Sequence, residues 1–196
     1  MKTHWSNKVE EVDKYWRQCG LKYFRKDVND LIEWLVTSKE QRILDVGFGS
    51  GLLYAYLKDE LKKQYVGVDY TDECLEYCRK TFPQGDFRIA DARHLPFGDG
   101  EFHLVVSLGV LMHNLEWVTI LEELIRVSKK YVITNDAITY RKTQDRGVRG
   151  TNVPRILFNP SDLEKIMKQY GSVVWHESTD TKGQSGVLGT FLLVKE

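Results

Sequence analysis

The strongest constraint on the fold is a glycine-rich turn that separates an apolar run from a run with helical character. The apolar residues Ile43–Val46 lead directly into this turn, in which glycine stands at Gly47, Gly49 and Gly51. Leucine, tyrosine and alanine residues follow at once. A strand, a tight turn and a helix in this order are typical of α/β domains. Because glycine lacks a Cβ atom, such a turn also lets a ligand lie against bare backbone.

A second short run, at residues 65–69, ends in a carboxylate. Asp69 lies 24 residues after Asp45, which lies within the first run. Ligands of open parallel sheets bind outside the carboxyl ends of the strands, and an acidic residue at the end of the second strand accepts hydrogen bonds from ribose hydroxyls. The two segments therefore predict a crevice for a nucleoside-containing cofactor.

The glycine spacing distinguishes two kinds of nucleoside cofactor. Dinucleotide enzymes place glycine at the first, third and sixth positions, so that a pyrophosphate can meet the start of the helix. Here the sixth position is Leu52 and glycine stands at the fifth, Gly51. With this spacing, residues 42–132 resemble the class I S-adenosylmethionine-dependent methyltransferases. The resemblance implies a Rossmann-like fold, S-adenosylmethionine as cofactor and S-adenosylhomocysteine as its product.

Strand and helix patterns alternate after Asp45, as in a parallel sheet with right-handed crossovers. A helix should open at Asn159, and a short polar link makes the last two strands an antiparallel hairpin. The resemblance implies a seven-stranded, mostly parallel α/β sheet with helices on both faces and an antiparallel last strand inserted beside the fifth. The strands are predicted at 42–46, 65–69, 86–90, 102–108, 130–135, 173–177 and 187–194.

The chain of 196 residues is expected to form one domain, 1–196, because its length suits a single core. Within it, residues 1–37 are predicted to be a helical lid and residues 38–196 the cofactor-binding α/β core. Acidic and basic residues number 28 each, so no global charge favours nucleic acid or a membrane. Without a signal-peptide pattern or an apolar run of about 18 residues, the protein is expected to be cytoplasmic.

The resemblance assigns roles to residues at the ends of four predicted strands. The turn amides would meet the amino acid part of the cofactor, whose ammonium Asp45 would attract. Asp69 would hold the ribose, and Asp91 would accept from the adenine amino group unless it only caps its own loop. The cofactor-binding residues expected on this basis are Asp45, Gly47, Phe48, Gly49, Gly51, Asp69, Tyr70, Asp91, Ala92, Ser107 and Leu108.

His113 is the candidate catalytic residue, because it follows the fourth strand and an imidazole titrates near neutrality. A hydroxyl or carbon acceptor would need such a base, whereas an amine, thiolate or carboxylate acceptor would not. An alternative interpretation is that His113 packs at the start of the next helix, beside Asn114 and Trp117. Both interpretations remain open at the level of sequence.

The sequence lacks the residues that several specialised kinds of methyl transfer and metal binding require. The segment 107–110 does not contain the Asn/Asp-Pro-Pro-aromatic motif of enzymes that methylate base amino groups, and no cysteine follows a proline. Cys19, Cys74 and Cys78 fit no common zinc spacing. Asn135 and Asp136 could offer two hard ligands, but Ser107 stands where another aspartate is expected, and we predict no metal site.

Two segments outside the shared core are candidates for substrate recognition. One is the N-terminal lid, whose rings could stack on an acceptor or could only cover the sheet. The other is the loop 137–158, which carries five cations against one acid. Its guanidinium groups suit an anionic small molecule, such as a carboxylate or phosphate ester. The candidate substrate residues are Tyr15, Trp16, Tyr23, Arg141 and Arg149.

Three functional hypotheses remain compatible with these patterns. The first is in-line methyl transfer to a small-molecule acceptor. The second is methylation of RNA or protein recruited through the basic residues 141–155. The third is a catalytically idle protein that binds the cofactor as a sensor or scaffold, because an intact cofactor crevice does not require turnover.

Overall fold

The fold is centred on one twisted sheet. The computed structural model describes Val9, Glu10, Lys14, Val28 and residues 30–148, 151–178 and 187–196. These residues form a seven-stranded sheet with the order β3-β2-β1-β4-β5-β9-β8. Its strands are β1 Ile43–Val46, β2 Tyr65–Asp69, β3 Phe87–Ile89, β4 Phe102–Leu108, β5 Ser128–Ile138, β8 Gly171–Ser178 and β9 Val187–Lys195.

Helices lie between β1 and β2, between β2 and β3 and between β4 and β5, and a further helix precedes β8. Asn159 caps this last helix, since its side chain accepts a hydrogen bond from the Ser161 amide at 3.0 Å. A single 3-10 turn, Leu111–His113, follows β4. The helices are α1 Leu52–Tyr56, α2 Asp59–Lys62, α3 Asp72–Thr81, α4 Trp117–Val127 and α5 Pro160–Met167.

The topology confirms the predicted fold class. Strands β1 to β5 pair in parallel, while β9 runs antiparallel to both β5 and β8. The strand order reverses between β1 and β4. From the carboxyl end of β1 the chain continues toward β2 on one side, and from that of β4 it continues toward β5 on the other. A crevice forms at such a switch point, and it lies where the glycine turn was predicted to bind a cofactor.

One predicted boundary was wrong. The proposed substrate loop, 137–158, was expected to begin after the fifth strand, but β5 continues through Ala137 and Ile138. These two residues pair with β9 and are buried, so cross-strand bonding and packing extend the strand beyond its apolar run. The remainder of the loop contains a small antiparallel ribbon of β6 Gln144–Asp145 and β7 Ile156–Leu157.

The core lies on both faces of the sheet, as expected for continuous apolar strands. In β4, Leu104 and Val106 belong to a cluster with α1 and α3, whereas Val105 belongs to the opposite cluster with α4 and α5. Val28 and Ile32 pack into the first cluster. The described part of the N-terminal segment therefore covers a face of the sheet.

Candidate active site

The glycine turn is held tightly against β2 and its surroundings. Gly47, Gly49 and Gly51 have φ angles of 82°, 54° and 73°, which side-chain-bearing residues rarely adopt. The Gly47 amide donates to the Val68 carbonyl at 2.7 Å. A Cβ atom on Gly51 would lie 2.9 Å from the Phe82 ring, whereas one on Gly49 would meet no atom within 4 Å. Gly49 therefore borders open space, while Gly51 is required by packing.

Asp69 joins the end of β2 to this turn. One carboxylate oxygen accepts from the Gly49 amide at 3.0 Å, and the other accepts from the Thr71 amide at 3.1 Å and the Thr71 hydroxyl at 2.9 Å. Burial raises the pKa of Asp69, and the hydrogen bonds from Gly49 and Thr71 act in the opposite direction. The structure thus brings together the two motifs that define the predicted crevice.

Asp45 lies beneath the turn, in a buried environment. Its carboxylate accepts a hydrogen bond from the Tyr65 hydroxyl at 2.8 Å, and the residue is 2% exposed. The Tyr65 ring packs edge-on against Tyr54 of α1. Asp45 therefore ties β1 to β2, and its proposed attraction for a cofactor ammonium stays a prediction.

The loop after β3 contains an ion-pair network that the sequence did not reveal. The Arg93 guanidinium contacts both oxygens of Asp91, at 2.6 Å for the shortest pair, and also lies 2.6 Å from Glu116 before α4. These bonds hold the pKa of Asp91 below its ordinary value. Arg93 thus occupies the carboxylate assigned to the adenine amino group. Ala92 and the exposed Tyr70 lie in the loops after β3 and β2.

The end of β4 presents a buried polar group instead of an apolar one. Ser107 is fully buried, and its hydroxyl has no hydrogen-bond partner among the described residues. Thr134 pairs with Ser107 across the sheet, and its hydroxyl is likewise unpartnered in the described part of the chain. Leu108 is partly buried and packs against the first core cluster. The β4 end is therefore close-packed but not fully hydrogen-bonded.

Asp136, which sequence reasoning considered only as a metal ligand, shares this polar environment. One of its oxygens accepts from the Met112 amide at 2.9 Å, and the Leu111 amide also hydrogen-bonds to it. The other oxygen is buried and meets no polar partner among the residues described. Complete burial raises the pKa of Asp136 to about 7. Its position within an apolar strand gave no sequence signal for this role.

His113 lies on the turn that Asp136 holds. Its Nδ1 is 2.9 Å from the Pro154 carbonyl oxygen, and because a carbonyl only accepts, Nδ1 carries the proton. In the neutral imidazole, the lone pair is then on Nε2. The contact fixes the ring against the segment before β7, and a role as base or as packing residue remains a prediction in either case.

The basic segment is only partly described. Asp145, its single acid, accepts from the Gly147 and Arg155 amides at 2.8 and 2.9 Å, so backbone groups surround its carboxylate. The Arg155 Nε atom is buried without a partner in the described ranges. Arg141 is exposed on the other arm of the ribbon. Four predicted substrate residues lie outside the described residues: Tyr15, Trp16, Tyr23 and Arg149.

The described residues contain neither a candidate membrane span nor a candidate metal-binding cluster. No helix there is both long and apolar enough to cross a lipid bilayer. No group of three or more histidine, cysteine, aspartate or glutamate side chains in those ranges is arranged to hold a metal ion.

The strand order, the glycine turn after β1 and the acidic end of β2 together define a class I methyltransferase architecture. Residues 43–131 match the family model described as a methyltransferase domain. The matched segment and the topology of the sheet support a class I S-adenosylmethionine-dependent methyltransferase fold, and S-adenosylmethionine is the cofactor that these likenesses support.

Known proteins share both the sequence and the fold. The chain is 35% identical over 105 residues to the demethylmenaquinone methyltransferase of Chlorobaculum parvum, covering 54% of this chain and 40% of that protein. The chain thus spans less than half the length of that relative. A possible histamine N-methyltransferase from Thermotoga maritima has a similar structure, with a TM-score of 0.68, 19% identity and coverage of 98% and 100% of the two chains.

A third similar protein was crystallised with the demethylated cofactor. It is the 1,6-didemethyltoxoflavin-N1-methyltransferase of Burkholderia thailandensis, with bound 1,6-didemethyltoxoflavin and S-adenosylhomocysteine. The TM-score is 0.73 at 13% identity, and the match covers 96% of this chain and 84% of that one. At these identities, both structural likenesses concern the fold.

The raised pKa of Asp136 predicts a pH-dependent stability. The folded state keeps a proton on Asp136 up to about pH 7, whereas the unfolded chain loses it near the ordinary value of 3.8. The free energy of unfolding should therefore fall as pH rises through this window, by at most about 1.4 kcal/mol per pH unit. Urea denaturation between pH 4 and 8 should show that Asp136→Asn loses this dependence.

The exposed Asp86 provides the matched control, because Asp86→Asn changes the same functional group at the surface. Its stability curve should run parallel to that of the wild type. Parallel curves for Asp136→Asn and the wild type as well would contradict a raised pKa at Asp136.

Proposed function

We propose that the protein transfers the methyl group of S-adenosylmethionine to a small-molecule acceptor. The observation that carries this proposal is the junction of Asp69 with Gly49, which places a carboxylate and an open stretch of backbone at the same edge of the sheet. The match to the methyltransferase family model supports the choice of cofactor. The names of two similar proteins, which specify demethylmenaquinone and 1,6-didemethyltoxoflavin, support a small-molecule acceptor.

The site residues fit the cofactor in chemical terms. Asp69 accepts hydrogen bonds from Gly49, Thr71 and Tyr70, and a carboxylate has about four acceptor positions, so a ribose hydroxyl would share or replace one of these donors. Exposed Tyr70 can flank the adenine. The interaction of Asp91 with adenine requires the Arg93 guanidinium to share or release the carboxylate. When bound, S-adenosylmethionine supplies an already activated sulfonium methyl group.

The protein's own contribution to the reaction is then mainly orientation. Holding an acceptor in line with the methyl group can lower the barrier by about 7 to 11 kcal/mol. We propose that the turn carrying His113 borders the acceptor position. The Nδ1 contact with Pro154 leaves Nε2 as the basic nitrogen of the neutral ring, which can take a proton from a hydroxyl or carbon acceptor.

We further propose that the acceptor is anionic and is recognised by the segment that follows β5. The single acid of this segment, Asp145, accepts hydrogen bonds from two backbone amides, and it forms no ion pair with the guanidinium groups in the described part of the segment. Arg141 and Arg149 would bind the anion, with Tyr15, Trp16 and Tyr23 closing over it. In this proposal, residues 1–37 form a lid on the core 38–196, within a single domain.

Substitution of Asp69 tests the cofactor site. A carboxylate that binds hydroxyl groups contributes about 1.5 to 3 kcal/mol per hydrogen bond. Asp69→Ala should therefore weaken S-adenosylhomocysteine binding at least tenfold, as measured by isothermal titration calorimetry. Asp86→Ala removes an exposed carboxylate elsewhere and should bind like the wild type. Unchanged affinity in a folded Asp69→Ala protein would reject the assignment.

A pair of glycine substitutions tests whether the cofactor lies against the turn. Gly49 and Gly100 have similar φ angles, 54° and 63°, and a Cβ atom would fit at either position. Alanine should thus impose a similar backbone strain of about 1 to 2 kcal/mol at each. Gly49→Ala should weaken S-adenosylhomocysteine binding about tenfold, because its methyl group enters the ligand space. Gly100→Ala should retain wild-type affinity, and equal effects would contradict the placement.

Labelled cofactor tests the reaction itself. The protein should move a labelled methyl group from S-adenosylmethionine to the small-metabolite fraction of a cell extract. Label in RNA or protein would instead support a macromolecular acceptor, and the absence of transfer despite binding would support an idle protein. With the labelled metabolite as substrate, His113→Gln should reduce turnover by about 10² to 10⁴ if it acts as a base. His94→Gln, in an exposed loop, is the control, and a loss of less than about threefold in His113→Gln would exclude the base role.

A further inference from the structure

We propose that Asp136 is a positioning residue for the acceptor side of the active site. In this proposal, its buried carboxyl group fixes the turn Leu111–His113 and thereby sets the position of the His113 ring. The proposal rests on the proposed methyl-transfer function for its catalytic consequence. Its structural part, which concerns the turn, can be tested separately.

Asp136 lies just beyond the paired part of β4 and β5. The last residue pair between β4 and β5 is Leu108 with Asn135, so Asp136 stands one residue beyond it. This is where the chain leaves β4 and enters the 3-10 turn. A side chain at this point can reach the first amides of the turn, which lack partners within the turn itself.

Hydrogen bonds join the Asp136 carboxyl group to the turn. Asp136 accepts from the Met112 amide at 2.9 Å and from the Leu111 amide. Both donors belong to the turn, and both bonds are removed from water because Asp136 is fully buried. In such an environment, loss of the acceptor leaves buried amides unsatisfied. The carboxyl group is therefore the principal anchor of the turn to β5.

His113 connects the turn to the acceptor segment. His113 follows Met112 directly, and its Nδ1 donates to the Pro154 carbonyl at 2.9 Å. Ile156 of β7, two residues after Pro154, belongs to the core cluster that also contains Leu111. A continuous series of contacts thus runs from Asp136 through the turn and His113 to the segment that we propose binds the acceptor.

The remaining oxygen of Asp136 lets the carboxyl group contact the turn in either a protonated or an ionised form. This oxygen is buried without a partner in the described part of the chain, so it can carry a proton while the other oxygen keeps its amide bonds. Because burial disfavours the ionised form, opening of the turn, which would expose the carboxylate to water, becomes easier once the proton is lost. The hold on the turn should therefore loosen as Asp136 ionises.

Other titratable groups lie on the elements that surround Asp136. On β9, the residue opposite Asp136 is Gly189, which has no side chain. His113 lies on the turn, and Arg155 precedes β7. The other titratable side chains of β4, α4 and β9 described in these elements are His103, Glu122, Glu123, Arg126 and Lys195. His103 and Lys195 lie near the other end of the strands, and Arg126 pairs with Glu123.

Three variants separate the possible roles of the carboxyl group. Asp136→Asn keeps an acceptor oxygen for the two amides but never ionises. Asp136→Ala removes the acceptor. Thr134→Val is the matched control, because Thr134 precedes Asp136 by two residues on the same strand and also has a buried, unpartnered hydroxyl among the described residues. This hydroxyl forms no hydrogen bond with the turn among the described residues.

The test is residue-resolved amide hydrogen exchange by NMR on the full chain, with S-adenosylhomocysteine affinity measured in parallel. After correction for intrinsic rates, Leu111 and Met112 in the wild type should be several-fold less protected at pH 8 than at pH 6. Asp136→Asn should lose this pH dependence but keep most of the protection at pH 6. Asp136→Ala should lose protection at least tenfold at both pH values, and Thr134→Val should match the wild type.

The catalytic consequence is read from methyl transfer to the labelled extract fraction. Asp136→Ala should reduce transfer at least tenfold while S-adenosylhomocysteine affinity stays within threefold of the wild type, and Asp136→Asn should recover most of the loss. Wild-type protection of both amides in Asp136→Ala would overturn the proposal, as would unchanged transfer. If Asp136→Ala does not fold, a pH dependence of protection in Asp136→Asn equal to that of the wild type would overturn it.

Failure of the proposed function gives a different pattern. A wild-type protein that does not bind S-adenosylhomocysteine, or binds it and transfers no methyl group, contradicts methyl transfer. The exchange measurement needs neither ligand nor turnover, so it would still show whether Asp136 holds the turn.

Discussion

The site depends above all on the hydrogen bonds of the Asp69 carboxylate. Its contact with the Gly49 amide joins the glycine turn after β1 to the end of β2, while Thr71 holds the second oxygen at the start of α3. Burial disfavours the charged form and raises the pKa of Asp69, and the donors offset only part of this effect. Without this carboxylate, the turn would lose its anchor, and the crevice at the reversal of strand order would lose its shape.

Much of this arrangement is predictable because local and global signals agree. Continuous apolar runs marked the buried parallel strands, and Asn159 followed by Pro160 marked the start of α5, which the Asn159 cap confirms. The glycine spacing predicted the turn, and Asp69 was correctly placed beside it. In each case, a short segment contained both the geometric requirement and the residue type that meets it.

Features that depend on distant partners were not predictable in the same way. The extension of β5 through Ile138 follows from pairing with β9, which lies about 50 residues later in the sequence. The bond between Arg93 and Glu116 joins two loops, so neither segment alone indicates it. Asp136 looked like a weak metal ligand, because nothing near it in sequence shows that its carboxyl group meets the amides of another strand's turn.

Two of the buried carboxyl groups at this edge of the sheet, Asp69 and Asp136, illustrate how the same side chain can perform different tasks. Asp69 has donors on both oxygens and lies beside open space at Gly49, so it suits a ligand with hydroxyl groups. Asp136 has donors on one oxygen and lies behind the turn that carries His113, so it suits control of that turn. In the proposed function, the cofactor and acceptor sides of the crevice are each anchored by one carboxyl group near the end of a strand. Because β1 and β4 separate β2 from β5, Asp69 and Asp136 lie on strands that are not neighbours. Each carboxyl group can therefore be substituted without directly disturbing the other.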